Sequence, residues 1–304
     1  MTTDMKNYAL GFMNEIGFDK EAVEALSNDL EIILSNETSE RIFQKCVDTY
    51  NEDKDRDYGE YLREADRAAE ISGVHSYSAR LLIFILFSKR LRELYREKGI
   101  SDRIWFDSMC DLKWKLWECR AVKGIWGSFV ADWFYRFFDM TRFALGRLQF
   151  ETSEIKEDHK ADGREIKRGM KAISIHIPRT LTPLTEEAKL DAYRQAIEFY
   201  NSEFEGQPMV FVCHSWLLSR EVPPMLKEGS NLKGFIKDFH IAEYETCEKG
   251  DYPDAWRLFD MDYTGNIDDY PEDSSLRRNY KAYLKSGGQM GAGLGFFFAD
   301  EITG

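Results

Sequence analysis

The stretch AISIHIPRTLTPLTEEAKL, residues 172–190, decides how the second half of the chain folds. Apolar Ile173, Ile175 and Ile177 alternate with Ser174 and His176, and this period of two is typical of a half-buried strand. Two prolines bracket the polar turn that follows. Helical spacing then begins, carried by Ala188, Ala192, Ala196 and Phe199. The stretch therefore predicts a strand ending in a histidine, a short turn, and a helix over about residues 185–200.

The charge of the chain limits the partners that it can have. Its 304 residues include 41 Lys and Arg against 54 Asp and Glu, a net charge of −13. An acidic surface repels nucleic-acid phosphates and anionic lipids, and no basic cluster in the sequence offsets it. The charge therefore predicts no nucleic acid and no membrane as partner.

The cysteines and the first residues predict a cytoplasmic location. The five cysteines are scattered and form no C-x-x-C pair, which favours a reducing compartment and gives no structural zinc site. The opening MTTDMKNYALGFMNEIGF has no basic segment ahead of a long apolar run, so it does not resemble a signal peptide. LLIFILF, residues 81–87, is far shorter than a membrane span.

The first half of the chain follows helical periodicity. One apolar face runs through residues 19–34, a long buried helix is predicted around residues 81–95, and Ser101 reads as a fresh N-cap. Residues 51–60, NEDKDRDYGE, are predicted to be a solvated connection between helices. A further helix is predicted by apolar residues in steps of three and one at Trp126, Phe129, Val130, Trp133, Phe134 and Phe137.

Near Phe143 the period changes to two, and strands then alternate with helices. The strand-like runs are ALGRLQFE (144–151), EIKRGMKAISIHI (165–177), PMVFVCHSWLL (208–218), FHIAEYETCE (239–248), AWRLFDM (255–261) and GLGFFFADE (293–301). Besides the helix near residues 185–200, helices are predicted after Ser230 and between Ser274 and Gly287. An all-helical half before a mixed half predicts the α+β class and two domains, residues 1–140 and 141–304. The aromatic helices ending near Phe138 could cover a cleft or form the face of a homodimer.

Polar residues two apart share one face of a strand. Such residues are Arg147, Gln149 and Glu151 in the first run, Ser174 and His176 in the second, and Cys213 and Ser215 in the third. If the three strands are neighbours, one sheet face holds a carboxylate, an imidazole, a thiol and a hydroxyl, which suffice for acid–base chemistry. The alternative is that Glu151 pairs with Arg147 on a solvated face, and that His176 is a half-buried structural histidine.

A covalent hydrolase is a further alternative. His214 cannot serve Cys213 or Ser215, because adjacent residues of a strand point to opposite faces. His176 would have to be the base, with Glu151 orienting it. No G-x-S-x-G nucleophile elbow is present, and Cys213 is equally explained as a small buried residue.

Three further segments could hold a ligand, and each has a plainer explanation. The turn RTLTPLT, residues 179–185, precedes a helix whose free amides suit phosphate, but it lacks glycine, and two glutamates already complement the helix dipole. GGQMGAGLG, residues 287–295, leads from a helix into a strand, which fits a C-cap and a close backbone approach. DMDYTGNIDD, residues 260–269, resembles the start of a calcium loop, but Pro271 replaces the bidentate glutamate, so no metal is predicted.

Several segments, taken in order, resemble a bacterial family of acyltransferase-domain proteins. They are LGRLQFE (145–151), IHIP (175–178), CHSWLLS (213–219), SNLKGF (230–235), WRLF (256–259) and GGQMGAGLGFFF (287–298). In that family a helical N-terminal acyltransferase domain precedes a GNAT-like C-terminal domain. The resemblance covers most of residues 140–304 and, more loosely, the helical half. It implies a mixed sheet whose central strands splay apart to admit acyl-CoA, and transfer of the acyl group to a small amine or similar nucleophile.

The resemblance also implies roles for individual residues. Glu151 or His176 would be the base, and Ser215 or Cys213 would be the acid or the oxyanion donor. The CoA pyrophosphate would be held by the loop after the strand, at Arg179, Thr180, Thr182, Leu184 and Thr185. GNAT loops carry Gln/Arg-x-x-Gly-x-Gly/Ala at this place, whereas this chain keeps only the arginine. The alternative function is a non-catalytic small-molecule-binding protein that kept the fold and lost the pyrophosphate loop.

Overall fold

The computed structural model describes residues 2–52 and 56–303. The chain divides into two compact units, Met1–Phe143 and Ala144–Gly304. Helices make up the described part of the first unit, and the second combines a mixed sheet with helices, which confirms the predicted α+β class.

The first unit consists of helices packed around a large apolar core. Their bounds are α1 Thr2–Ile16, α2 Lys20–Ser35, α3 Glu37–Asn51, α4 Tyr58–Ser72, α5 Ser76–Glu97, α6 Asp102–Lys123, a 3₁₀ helix Ala131–Phe134, and α7 Tyr135–Phe138. The predictions of α2 and of the long buried helix α5 are confirmed, and Ser101 caps α6 by accepting a hydrogen bond from the Ile104 amide at 3.3 Å. In the predicted connection at residues 51–60, residues 53–55 lie outside the described part of the chain.

The helix predicted from Trp126 to Phe137 is wrong in its first half. The left-handed Gly124 ends α6, and helical structure resumes only at Ala131. Between them the chain binds the start of α5, because the Ser128 amide donates to the Tyr77 carbonyl at 3.0 Å. A Cβ at Gly127 would overlap the Tyr77 backbone, so the close approach requires glycine there. These contacts replace the helical hydrogen bonds that the apolar spacing predicts.

The second unit contains a small hairpin and a six-stranded mixed sheet, whose first strand begins two residues before Ala144. The strands are β1 Arg142–Leu145, β2 Leu148–Glu154, β3 His159–Ala161, β4 Arg164–Ile166, β5 Lys171–His176, β6 Val210–Ser215, β7 His240–Thr246 and β8 Gly291–Phe298. The order in the large sheet is β1-β2-β5-β6-β8-β7, and β3 pairs with β4 in the hairpin. The run ALGRLQFE, predicted as one strand, is therefore two strands joined by a turn at Gly146 and Arg147, where Gly146 has a φ of +63°.

The helices of the second unit connect these strands. They are α8 Glu186–Tyr200, α9 Val222–Met225, α10 Asn231–Ile236, α11 Ala255–Phe259, α12 Ser275–Lys285 and α13 Asp300–Thr303. The predictions of α8 and α12 are confirmed, and α10 ends three residues before Phe239, which the apolar spacing had included. AWRLFDM, predicted as a strand, is instead α11, which a left-handed Asp260 terminates. A run of five mostly apolar residues fits either a buried strand or a short helix, and periodicity cannot separate the two.

An aromatic core joins α8 to the centre of the sheet. Phe211 on β6 stacks on Phe297 of β8 at 5.0 Å between ring centroids and meets Phe150 of β2 edge-on at 6.0 Å. Tyr193 of α8 lies over Phe297 at 5.0 Å, and Tyr200 donates to the Phe150 carbonyl at 3.0 Å. These buried rings hold β2, β6 and β8 against one helix.

The glycines of β8 allow two close approaches. A Cβ at Gly293 would overlap the Leu218 carbonyl oxygen, and a Cβ at Gly295 would lie 2.7 Å from the Phe239 Cβ. Gly287, with a φ of +90°, follows the end of α12. The predicted helix stop and close backbone approach in GGQMGAGLG are therefore confirmed.

Candidate active site

The candidate site lies where the two central strands of the sheet separate. The parallel strands β5 and β6 pair through only two residue pairs, Ile173 with Phe211 and Ser174 with Val212. By contrast, β2 pairs with β5 over six residues, and β6 pairs with β8 over six. Beyond the short seam, β5 continues to His176 and β6 to Ser215. The carboxyl ends of both strands therefore face a gap in the hydrogen-bond ladder.

The register shows which side chains share a face of the sheet. Glu151 lies opposite Ser174, which lies opposite Val212. Residues opposite one another in a ladder point to the same side, and residues two apart on a strand do as well. Glu151, Ser174 and His176 therefore share a face with Val212 and His214. The predicted common polar face is wrong for Cys213 and Ser215, because the register turns both to the opposite side.

Glu151 and His176 form the polar centre of the first face. The His176 Nε2 lies 3.1 Å from Glu151 Oε2, and the two side chains are 25% and 14% exposed. They come from adjacent strands whose backbone bonds fix their separation. An imidazole next to a carboxylate can accept a proton, because the carboxylate orients the ring and stabilises the imidazolium that forms.

Cys213 is buried among the packed residues of the opposite face. Helix α8 covers this face of the sheet, and only 2% of Cys213 is exposed. Burial raises the pKa of its thiol to about 12. A thiol that stays protonated at neutral pH is a poor nucleophile. These observations favour the interpretation of Cys213 as a small buried residue.

Ser215 and His214 are engaged in separate local contacts. The Ser215 hydroxyl accepts a hydrogen bond from the Leu217 amide at 3.2 Å and so caps the 3₁₀ helix Trp216–Leu218. His214 is 53% exposed and lies 3.3 Å from Glu245 of β7. The hydrogen bond of Ser215 and the ion pair of His214 therefore go to residues other than Glu151 and His176.

The loop between β5 and α8 places the predicted cofactor residues together. The Thr185 hydroxyl caps α8 by accepting from the Ala188 amide at 3.2 Å, and the Thr180 hydroxyl bonds the Thr182 carbonyl at 3.1 Å. Leu184 is buried beneath the loop. Arg179 forms an ion pair with Asp260, the same carboxylate that Arg277 binds. Arg179 is the one residue of the loop that matches the GNAT pattern, and its charge is thus already offset by a carboxylate.

The alternating pattern predicts Arg147 on a strand, beside Gln149 and Glu151, and this prediction is wrong. Arg147 lies in the β1–β2 turn, and its guanidinium reaches across to the loop. Nε donates to the Thr182 carbonyl at 2.8 Å, and Nη1 donates to the Pro178 carbonyl at 3.1 Å. The signal in the sequence is the preceding Gly146, which marks a turn inside an otherwise strand-like run.

Neither a metal-binding cluster nor a membrane-spanning helix is found among the described residues. Across residues 2–52 and 56–303, no three His, Cys, Asp or Glu side chains converge as metal ligands. In the segment that resembles a calcium loop, Asp260 pairs with arginines and Asp268 with Lys285. No described helix has the length and apolarity that crossing a membrane requires.

Comparison with known proteins extends over nearly the whole chain. Residues 143–297 match the family model of the GNAT-like C-terminal domain, and residues 9–140 match that of the N-acyltransferase N-terminal domain. No protein with a curated description matches the chain significantly. The resemblance found in the sequence motifs is thereby confirmed.

Solved structures share the fold over both units. An acyltransferase in complex with decanoyl-CoA and teicoplanin is similar to the chain with a TM-score of 0.71 and 20% identity, covering 96% of this chain and 87% of its own. An acyltransferase in complex with CoA and 10C-teicoplanin has a TM-score of 0.73 at 20% identity, with the same coverage of 96% and 87%. At this level of identity the likeness establishes the fold.

Proposed function

The chain belongs to the family that joins an N-acyltransferase N-terminal domain to a GNAT-like C-terminal domain, and we propose that it transfers an acyl group from acyl-CoA to an amine or similar nucleophile. One observation carries the proposal. The two central parallel strands share only a two-residue seam, and the loop that leaves one of them ends at the N-terminus of α8. A thioester could enter between the separated strand ends while amides at the helix start bind its phosphates.

The Glu151–His176 pair would supply the proton transfer. The acceptor amine attacks the thioester carbonyl carbon, a C–N bond forms and the C–S bond breaks. His176 takes the proton that the amine loses, and Glu151 stabilises the imidazolium at the observed 3.1 Å. The proton then passes to the departing thiolate, which leaves as the CoA thiol and returns His176 to its neutral form. This sequence balances without a role for Cys213 or Ser215.

The acceptor is the least constrained part of the proposal. The small amine expected from the sequence remains one class, whereas a related acyltransferase of the same fold was solved with teicoplanin. We therefore include large amine-bearing acceptors beside small amines. All five cysteines are free thiols, which supports a reducing, cytoplasmic compartment for the reaction.

The deciding experiment is calorimetric titration of the full chain with acetyl-CoA and with a long-chain acyl-CoA, with ATP as the control for a phosphate-bearing nucleotide. We expect a dissociation constant on the order of micromolar for at least one acyl-CoA, and binding of ATP that is weaker by at least about tenfold. Mass spectrometry of acceptor amines incubated with that acyl-CoA then detects the acylated product.

Absence of heat with every CoA ligand, from a sample that is folded by circular dichroism, would refute the proposal. Binding of acyl-CoA without an acylated product from small or large amines would support the alternative of a non-catalytic small-molecule-binding protein instead.

A further inference from the structure

Arg147 is positioned by two independent elements of the second unit. It follows Gly146, whose backbone packs so closely on α8 that a Cβ there would lie 3.2 Å from the Ala192 Cα. Its guanidinium then donates to the Pro178 and Thr182 carbonyls, which lie on either side of the loop tip. The arginine is therefore held beside the loop that precedes α8, which the proposed function assigns to acyl-CoA.

The charge of Arg147 differs from that of the other arginines of this region. Its two partners are neutral carbonyls, and among the described residues no carboxylate pairs with it. Arg179 and Arg277, by contrast, both bind Asp260. Burial lowers the pKa of the Arg147 guanidinium. A partly buried cation without an anionic partner is costly, and an anionic ligand would offset that cost.

The guanidinium also has hydrogen-bond donors to spare. Of its five N–H groups, the two carbonyl contacts use one on Nε and one on Nη1. A phosphate oxygen pair is the ligand that the planar fork of arginine binds best. The amides at the start of α8 lie at the end of the same loop, although Glu186 and Glu187 of the first turn already complement the helix dipole there.

We propose that Arg147, rather than Arg179, binds the pyrophosphate of acyl-CoA, and that it takes the place of the missing glycines by holding the loop open from the neighbouring turn. This inference rests on the proposed function for the identity of the ligand. A glycine-rich loop wraps its amides around an anion, whereas here a side chain outside the loop fixes its two carbonyls and contributes the charge.

The test compares arginine variants by calorimetry with three probes: CoA, pantetheine and inorganic pyrophosphate. Arg147→Gln should weaken CoA and pyrophosphate binding by about tenfold to a hundredfold and leave pantetheine binding unchanged. Arg179→Gln should cost at most about threefold, since it removes a partly exposed charge that Asp260 already offsets. Arg194→Gln, which removes an exposed arginine from α8, is the matched control for net charge.

Steady-state kinetics and a conservative variant separate charge from structure. Arg147→Gln should raise the KM for acyl-CoA with kcat nearly unchanged, and Arg147→Lys should recover part of the pyrophosphate affinity. A purely structural role predicts instead that Arg147→Gln loses CoA and pantetheine alike. That result, or equal losses for Arg147→Gln and Arg179→Gln, would overturn the inference.

The outcome is distinguishable from failure of the proposed function. If the unmodified chain binds inorganic pyrophosphate through Arg147 but does not bind CoA, the anion site is supported and acyl transfer from CoA is refuted. If CoA binds and Arg147→Gln binds it as tightly as the unmodified chain, acyl transfer stands and the assignment of Arg147 is wrong.

Discussion

The two faces of the central sheet in the second unit differ in what they hold. One face carries Glu151 and His176, partly exposed and in contact with each other. The other carries Phe211, Phe297 and Cys213, closed over by α8. The same strands contribute to both, so a residue's function depends on its register as much as on its type. A shift of one residue in the register of β6 would turn Phe211 and Cys213 to the face that carries Glu151 and His176.

The largest expected effect comes from the buried face. Phe211→Ala removes a ring that meets Phe150, Tyr193 and Phe297. We expect the free energy of unfolding to fall by about 3–5 kcal/mol, because the neighbours cannot close the cavity. Urea unfolding followed by circular dichroism measures this. His214→Ala, on the exposed face of the same strand, is the control and should change stability by less than about 0.5 kcal/mol. Equal effects would contradict the assignment of the faces.

The polar face should affect turnover instead. If Glu151 and His176 transfer the proton, Glu151→Ala and His176→Ala should each lower kcat roughly a hundredfold or more. Affinity for acyl-CoA, measured by calorimetry, should stay nearly intact. The two losses should not add in the double variant, since the residues act as one unit. If both single variants only unfold the protein, the polar pair is structural.

Cys213 sharpens the comparison, because the smallest effect on turnover is expected there. Cys213→Ala should leave kcat within about twofold, and peptide mass spectrometry should find Cys213 unlabelled by iodoacetamide until urea unfolds the chain. A strong loss of kcat in a folded Cys213→Ala protein would restore the thiol to the mechanism.

Cys213 should also contribute a pH dependence to stability. Its folded pKa of about 12 lies above the ordinary value of 9.0. The stability gained from the neutral thiol is therefore fully present below pH 9 and is lost as the pH rises toward 12. Urea unfolding between about pH 8 and about pH 10.5 should show a steeper fall for the unmodified chain than for Cys213→Ala. Parallel curves would contradict the buried, neutral state of this thiol.

Local patterns in the sequence predicted those elements whose signals are local. β5 and α8 follow from the alternation through His176 and from the Thr185 cap, and both were found. The Glu151–His176 contact needed only one further condition, that β2 and β5 are neighbours. These features depend on residues close together in the chain or on a single strand pairing.

The errors arose where contacts distant in sequence decide the structure. The face of Cys213 depends on the β5–β6 register, which no residue of β6 encodes alone. Residues 126–130 have helical spacing, yet the Ser128 amide donates to Tyr77 at the start of α5 and the Trp126 carbonyl accepts from the Ser78 hydroxyl. The role of Arg147 required knowing that its turn meets the loop at Thr182. In each case the local pattern separated polar from apolar residues but gave no information on which distant residue each one contacts.

The two-residue seam also affects how such a protein can change through evolution. Past Ser174 and Val212, β5 and β6 share no ladder pairing in the described chain, and the side chains of the two strands lie above and below the space between them. Replacing those side chains changes the approach to this gap without breaking a hydrogen bond between the two strands. Relatives of this chain can therefore diverge in what they admit between the strands while the sheet itself stays the same, and a designer could retune the gap by the same route.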